Sequence, residues 1–248
     1  MDKFDSILSS VIDSHLGLRS TLTGYQYSEI IRAIFSVFCC GGDCMEDLNL
    51  YLKDVLTERP HTRVPSADTV LRGIEELATE NISYTAEKTG NVYDFNTAEK
   101  LNQLLIKLLL ATGQLTESGA YDVDFDHQFL EADKYDSKRT YKGFEGYSPG
   151  VFTIGGLIAY LENRAHLPKS FMNQNTVFLL ITAMATNFYR YIVALPLMAV
   201  LFGIKATDRV KSFLFRFIAV PAKWIKTARQ YKLNIYSPKP YNQIWEHG

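Results

Sequence analysis

The sequence of 248 residues predicts an α+β fold that is mostly helical. Through the first hundred residues, and again after residue 173, apolar residues recur at three- and four-residue spacing, as in a helix with one buried face. Residues 118–164 change to a two-residue period, which is typical of strands. We therefore expect a helical N-terminal region, about three antiparallel strands and a helical, basic C-terminus.

Five N-terminal segments carry the helical period: 4–17, 27–40, 45–56, 66–80 and 96–113. Their ends carry residues that begin or end helices. Ser66 can accept a hydrogen bond from a free amide in the first turn of the fourth helix. Gly41 and Gly113 stand where helices stop, because glycine adopts the left-handed conformation that closes a helix. These residues support the predicted boundaries.

Strands are predicted after these helices. In YDVDFD, residues 121–126, apolar and acidic side chains alternate, which predicts a strand with one buried face. Further on, GVFTI and LIAYLE flank Gly155 and Gly156, the arrangement of a hairpin with a tight turn.

Two apolar runs follow, at 176–186 and 192–204. Neither run reaches the roughly 20 residues that a bilayer requires, and Asn187 and Arg190 lie between them. We therefore expect core helices and no membrane association, and a small membrane protein is the alternative. A last helix is predicted over 210–233.

Charge is distributed unevenly along the chain. Residues 1–100 hold nine Lys and Arg against sixteen Asp and Glu, whereas residues 205–248 hold nine against two. Clustered cations displace the counterions of a phosphate backbone, so the basic end predicts a surface for a polyanion. The alternative is a solvated basic face that pairs with the acidic N-terminal region.

The cysteines suggest no metal site. Cys39, Cys40 and Cys44 lack the paired spacing and the fourth ligand of a zinc site, so we expect buried, reduced thiols and a cytoplasmic protein. Asp122, Asp124, Asp126 and Asp133 fall at positions 1, 3, 5 and 12 of a calcium loop. His127 stands where that loop needs glycine, so a strand is the better interpretation.

The most specific pattern lies in residues 121–164. The segment DSKRTYKGFEGYSPG resembles the Asp-x-Lys-x-Thr-Tyr…Gly-Tyr-x-Pro-Gly segment of insertion-sequence DDE transposases. The matching residues are Asp136, Lys138, Thr140, Tyr141, Gly146, Tyr147, Pro149 and Gly150. Residues 166–193 resemble the region that follows the last catalytic residue of these enzymes. The N-terminal helices resemble their DNA-binding or dimerisation region.

This resemblance implies an RNase H-like catalytic domain that cuts and joins DNA with two Mg²⁺ ions held by two Asp and one Glu. Asp126 is the first choice for the first-strand carboxylate and Mg²⁺ ligand, because the family often has Asp, any residue, then a hydroxyl or amide residue, here Gln128. Asp124 is the alternative. An exposed acid row with no catalytic role is the simplest other interpretation.

The other two carboxylates have no counterpart. The family places its Y-x2-R-x3-E-x6-K pattern between segments that here nearly meet, at Arg164 and Leu167. The resemblance thus implies an internal truncation between about residues 164 and 166 and a catalytically incompetent chain. In the RNase H-like order 3-2-1-4-5, loss of strand four would leave the strand of Asp124 and Asp126 at an edge.

The resemblance also sets the predicted organisation and partners. The segments are a helical region at 1–115, a partial catalytic domain at 118–164 and a helical C-terminal part at 165–248. Expected partners are the DNA ends of the element, a second copy, or full-length transposase. The predicted DNA contacts are Lys138, Arg139, Arg216, Lys223, Lys226 and Arg229, the last three sharing one helix side.

Two alternatives remain open at this point. One is a remnant that binds DNA or oligomerises and regulates transposition without catalysis. The other concerns the N-terminal helices, which can pack only with each other or can present Arg63 and Arg72 from a short helix-turn-helix.

Overall fold

The computed structural model describes residues 2–19, 24–42, 44–59, 62–90, 92–128, 130–131, 138–139, 143, 145–147, 149–165, 172–227 and 230–243. The fold is α+β, with helices over about half of the chain and small antiparallel sheets, which confirms the predicted class at this level. The α-helices are α1 (Asp2–Leu16), α2 (Tyr27–Cys40), α3 (Lys53–Thr57), α4 (Ala67–Leu77), α5 (Glu99–Ala111), α6 (Met172–Ala194), α7 (Pro196–Phe202) and α8 (Val210–Phe213). Two π-helical segments, Leu48–Leu52 and Leu214–Ile218, adjoin α3 and α8.

The strands form three sheets. Their bounds are β1 (Ile82–Thr85), β2 (Val92–Asn96), β3 (Val123–His127), β4 (Leu130–Glu131), β5 (Lys138–Arg139), β6 (Glu145–Tyr147), β7 (Gly150–Ile154), β8 (Leu157–Ala165), β9 (Ala222–Thr227) and β10 (Gln230–Ile235). The strand orders are β1-β2-β8-β7-β3, β4-β6-β5 and β10-β9, and every paired neighbour is antiparallel.

The chain divides into two compact units. Unit 1 contains Met1–Leu71 and Phe188–Gly248, and unit 2 contains Arg72–Asn187. The predicted segments 1–115 and 165–248 each contribute to both units, whereas 118–164 lies within unit 2. The two ends of the sequence therefore build one unit together.

In unit 1, side-chain caps define where α2 begins. Gln26 and Glu29 form a capping box, and the Glu29 carboxylate accepts a hydrogen bond of 2.8 Å from the Gln26 amide. Asp13 of α1 accepts two more, from the Ser28 amide at 3.0 Å and the Ser28 hydroxyl at 2.7 Å. The helix ends at Gly41, whose φ of +77° gives the left-handed closure. The boundaries predicted for 27–40 are thus confirmed.

The predicted caps at other helices are also confirmed. Ser66 Oγ accepts a hydrogen bond of 3.3 Å from the Thr69 amide at the start of α4. Gly113 follows α5 with a φ of +69°. Local residues therefore fix these helix ends without help from the rest of the fold.

The C-terminal part of unit 1 packs around aromatic rings. Pro196 begins α7, because its ring cannot continue α6 but fits the first helical position. Beyond it, a buried cluster collects side chains from α6, α7, α8 and the C-terminal loop: Tyr189, Val193, Met198, Phe202, Ile204, Phe213 and Tyr241. This cluster supports the chain that follows residue 218.

The helix predicted over 210–233 is wrong beyond residue 218, where the chain forms the β9–β10 hairpin. Pro221 lies just before β9 and cannot occupy a helix interior without losing a hydrogen bond. Trp224, Ile225 and Thr227 favour a strand. Lys223 pairs with Asn234 and Lys226 with Tyr231. Because side chains alternate along a strand, Lys223 and Lys226 lie on opposite faces, and the predicted shared side is wrong.

In unit 2, the main sheet has five strands, and the expected number of about three is wrong. The additional strands are β1 and β2, a hairpin at 82–96 that lies between two predicted helices of the helical region expected over 1–115. Their sequences, ISYT and VYDFN, are rich in residues that favour strands. β2 joins the sheet by pairing Asn96 with Asn163 and the two neighbouring positions.

The predicted hairpin with a tight Gly-Gly turn is confirmed between β7 and β8. Gly155 and Gly156 have φ values of +55° and +82°, as a two-residue turn with both central residues left-handed requires.

We expect Gly155→Val to lower the free energy of unfolding by about 1–2 kcal/mol, because a β-branched residue is strained at this φ. A Cβ at Gly155 has no neighbour within 4 Å, so the loss comes from the backbone conformation alone. Gly155→Asn is the matched control, since asparagine tolerates the left-handed region. Urea unfolding followed by circular dichroism measures both, and equal losses would contradict the turn geometry.

Two buried asparagines bind the backbone of β8 where β2 does not reach it. The Asn102 amide nitrogen donates to Leu161 O at 2.8 Å, and its oxygen accepts from Leu161 N at 2.9 Å. Asn187 makes the same pair of bonds with Ile158, at 2.7 and 2.9 Å. Each side-chain amide replaces the missing neighbouring strand at one residue, so the buried polar groups of β8 are satisfied.

Strand β3 lies at the edge of the sheet and pairs only with β7 among the described strands, which confirms the predicted edge. The buried face predicted for this strand is wrong. Val123 and Phe125 are 56% and 44% exposed. Phe125 contacts Phe152, with ring centroids 4.5 Å apart, and Phe152 contacts Tyr160 at 5.6 Å. An aromatic row therefore crosses β3, β7 and β8 on the face opposite the Asp124 and Asp126 side chains.

One described helix, α6, is long and apolar enough to cross a membrane, although the apolar runs counted from the sequence were too short. Its most apolar window has a mean hydropathy of 1.4, and half of that window is buried inside the protein. Burial of residues such as Leu180 and Ile181 is the pattern of a core helix.

Candidate functional site

The predicted catalytic residues lie on the open edge strand. Asp124 and Asp126 pair in register with Thr153 and Val151 of β7, so both carboxylates project from one face, about 7 Å apart by strand geometry. Both residues are exposed. The Asp126 carboxylate accepts a hydrogen bond of 2.8 Å from the amide of His127, the next residue. This contact uses one of the two carboxylate oxygens of Asp126.

The described residues do not fit a two-metal centre. Among them, no group of three or more His, Cys, Asp or Glu side chains could hold a metal ion. Glu162 pairs with Gly150, which in turn pairs with His127, so Glu162 lies on the face opposite Asp126. Asp133 and Asp136 lie outside the described residues. Asp126 therefore stands in this part of the chain without the second and third carboxylates that two Mg²⁺ ions would need.

His127 itself faces away from Asp126. Its ring contacts Phe125 edge-on at 5.0 Å, and within the described residues its buried Nδ1 has no hydrogen-bond partner. Successive residues of a strand point to opposite faces, so the imidazole and the Asp126 carboxylate cannot bind one ion from this backbone conformation.

The thiols form no site within the part of the chain that the structure describes. Cys39, Cys40 and Cys44 are free cysteines. Burial, reinforced by repulsion from Cys40, raises the pKa of the Cys39 thiol to about 12, so it remains protonated at neutral pH. Cys40 and Cys44 are exposed, and the expectation of buried thiols is wrong for these two.

The β9–β10 hairpin is a basic ribbon, defined here as residues 222–235. It contains Lys223, Lys226, Arg229 and Lys232 and no Asp or Glu. The register divides its side chains between two faces. The polar face carries Lys223, Ile225, Thr227, Gln230, Lys232 and Asn234. The aromatic face carries Ala222, Trp224, Lys226, Tyr231, Leu233 and Ile235.

The polar face groups two ammonium ions with amide and hydroxyl side chains. Lys223 and Lys232 are exposed and lie diagonally across the ribbon, about 7–8 Å apart at their backbones. On the aromatic face, Lys226 Nζ lies 5.4 Å from the centre of the Tyr231 ring. The two faces can therefore be tested separately.

The base of the ribbon is fixed to the aromatic cluster of unit 1. The Tyr236 amide donates to Pro221 O at 2.8 Å and closes the two strands where they begin and end. Ile235 packs against the cluster. At the other end, Thr227 and Gln230 are exposed. A ribbon held at one end and solvated at the other can present its polar face to a large partner.

The other predicted DNA contacts differ in their surroundings. The Arg216 guanidinium pairs with Asp208 at 3.3 Å and donates to Gly203 O at 3.1 Å, so it holds a neighbouring loop. Lys138 and Arg139 form β5. Arg229 lies outside the described residues. Arg63 pairs with Glu29 at 3.5 Å.

Lys232 was among the C-terminal cations that the sequence marks as fit for phosphate contact, but sequence reasoning missed Gln230 and Asn234 as members of this surface. The signal was present in Pro221 and in the strand-favouring residues that follow it. The three-residue spacing of Lys223, Lys226 and Arg229 favoured a helix instead, because residues three apart lie on the same side of a helix.

No family model matches the chain, and neither a curated protein nor a solved structure is significantly similar to it.

Proposed function

We propose that this chain is a DNA-binding remnant of an insertion-sequence transposase that no longer cuts or joins DNA. The observation that carries the proposal is the basic ribbon, which has four cations, no carboxylate and a solvated polar face. A two-stranded ribbon fits the major groove of B-DNA, which is about 12 Å wide. Lysine contacts phosphates and guanine, and Gln and Asn side chains can bind adenine.

The resemblance of residues 121–164 to DDE transposases supports the transposon origin. The position of Asp124 and Asp126 supports the loss of catalysis. Metal-dependent strand transfer requires carboxylates from separate strands and helices to meet at two ions. Asp126 has no such companions among the described residues. Such a remnant would act in the cytoplasm on element ends and would limit transposition by occupying them.

The intact chain tests the proposal in two assays. In the first, fluorescence anisotropy measures binding to a 30-base-pair duplex between 50 and 200 mM salt. We expect log K to fall with log salt with a slope of about −2 to −4, since up to four ribbon cations displace counterions. We also expect EDTA to leave binding unchanged, because the ribbon needs no metal ion.

In the second assay, the chain is incubated with Mg²⁺ and element-end DNA, and nicked or joined products are separated on a gel. We expect no products. Products that disappear in the Asp126→Ala variant would show that a competent metal centre forms, and would overturn the claim of lost catalysis. Binding that is absent at 50 mM salt would overturn the DNA-binding part.

A further inference from the structure

Unit 1 contains a cavity of about 280 Å³ that the proposed function does not use. Its walls come from α1, α2, α3, α6 and α8, the loop at 62–65 and the π-helical segment at 214–218. The size is at the lower limit of pockets that hold small molecules.

Most of the cavity wall is apolar. Ile12, Ile31, Phe35, Val64 and Phe213 all line it and are buried. Buried aliphatic and aromatic side chains favour an apolar occupant, because water in such a space has few groups to bind. The wall therefore suits a hydrocarbon chain.

One part of the wall is basic. Arg32 of α2 lines the cavity and is only partly exposed to solvent. Its guanidinium donates a long hydrogen bond of 3.4 Å to Ser9 Oγ, and within the described residues no carboxylate forms an ion pair with it. A partly buried cation without an anion is unfavourable, so this position favours an anionic group from a ligand.

An acidic residue of the cavity wall already has partners. Glu29 precedes Arg32 by one turn and also lines the cavity. Its carboxylate pairs with Arg63 at 3.5 Å and accepts the Gln26 amide at 2.8 Å in the capping box. Arg59 and Arg63 add two further guanidinium groups to the wall, so cations there outnumber the one carboxylate.

We propose that this cavity binds a medium-chain aliphatic carboxylate, with its tail among the apolar side chains and its carboxylate on Arg32. The planar guanidinium can bind both carboxylate oxygens through parallel hydrogen bonds. If a methylene group needs about the volume of a liquid water, about 30 Å³, the cavity holds a chain of about eight to ten carbons. This ligand goes beyond the proposed function and does not depend on DNA binding.

Isothermal titration of the intact chain with decanoate tests the proposal. We expect one binding site. Decanol, which has the tail without the charge, should bind at least tenfold more weakly, and acetate, which has the charge without the tail, should not bind. Arg32→Gln should weaken decanoate binding about tenfold, the loss expected for a charge-assisted pair, about 1.4 kcal/mol. Arg209→Gln is the matched control, because Arg209 is exposed and does not line the cavity.

A second variant separates binding from folding. Ser36 lines the cavity, and its hydroxyl bonds only to the Arg32 carbonyl of its own helix among the contacts described. Ser36→Leu should fill the space, abolish decanoate binding and leave the thermal midpoint unchanged or higher.

Three outcomes would overturn the proposal: no decanoate binding up to 1 mM, equal affinity for decanoate and decanol, or equal losses in the Arg32 and Arg209 variants. A second copy could cover the cavity instead. Sedimentation would then show a concentration-dependent dimer that Ser36→Leu disrupts, and this result would also overturn the proposal.

Discussion

Replacing Asn102 with leucine is expected to lower the free energy of unfolding by about 3 kcal/mol. Leucine has a similar volume but cannot bind the amide and carbonyl of Leu161, which Asn102 bonds at 2.9 and 2.8 Å. The side chain is 2% exposed, so water cannot replace it. A third bond, to Thr97 O at 2.5 Å, is lost as well. Each buried polar group left without a partner costs about 1–3 kcal/mol.

Urea unfolding followed by circular dichroism measures this effect. Gln103→Leu is the matched control, because Gln103 is the next residue of α5 and is exposed. It should change the unfolding free energy by less than about 0.5 kcal/mol. Asn102→Asp keeps the acceptor but places a buried carboxylate oxygen against the carbonyl oxygens of Thr97 and Leu161, so it should destabilise the chain at least as much as leucine. Equal midpoints for the Asn102 and Gln103 variants would show that the amide does not support β8.

Replacing Lys223 and Lys232 together with glutamine is expected to reduce DNA affinity at least tenfold at 100 mM salt and to make the salt slope less steep by about 2. Both lysines lie on the polar face of the ribbon. Each single change should weaken binding about three- to fivefold, since each removes one phosphate contact.

Lys226→Gln is the matched control for this experiment. Lys226 comes from the same strand but lies on the aromatic face beside Tyr231. Its loss should reduce affinity less than twofold, and anisotropy titrations over a salt series measure all four variants. Equal losses for Lys223 and Lys226 would mean that the polar face does not enter the groove. Indifference to all three lysines would exclude the ribbon as the DNA-binding surface.

The parts of the fold that local chemistry determines could be predicted from the sequence. The capping box of α2, the Ser66 cap and the glycines of the β7–β8 turn act through neighbours in the sequence, and the elements they bound are confirmed. The edge position of β3 was implied by the resemblance of residues 121–164 to DDE transposases, and the RNase H-like identity behind it stays a proposal.

Features that depend on strand pairing or on tertiary packing were missed. Lys223 and Lys226 are compatible with either a helix or a strand, and pairing with residues 230–235 selects the strand. Asn102 bonds a residue 59 positions away, which composition does not reveal. At β3, alternation predicted the strand correctly, but whether Phe125 is covered depends on which element packs against it. The residue types in the sequence therefore indicated which segments carry the candidate site, but not which face each side chain occupies.

Unit 1 combines the first 71 residues with everything after Phe188, whereas unit 2 is one continuous stretch. On the ribosome, unit 2 can finish folding before the residues that complete unit 1 have emerged, because domains fold as units in order of synthesis. Until then Phe35 lacks Phe188, against which it stacks, and Phe38 lacks the aromatic cluster of residues 189–241, against which it packs. The nascent N-terminal segment therefore exposes apolar side chains of the kind that chaperones bind.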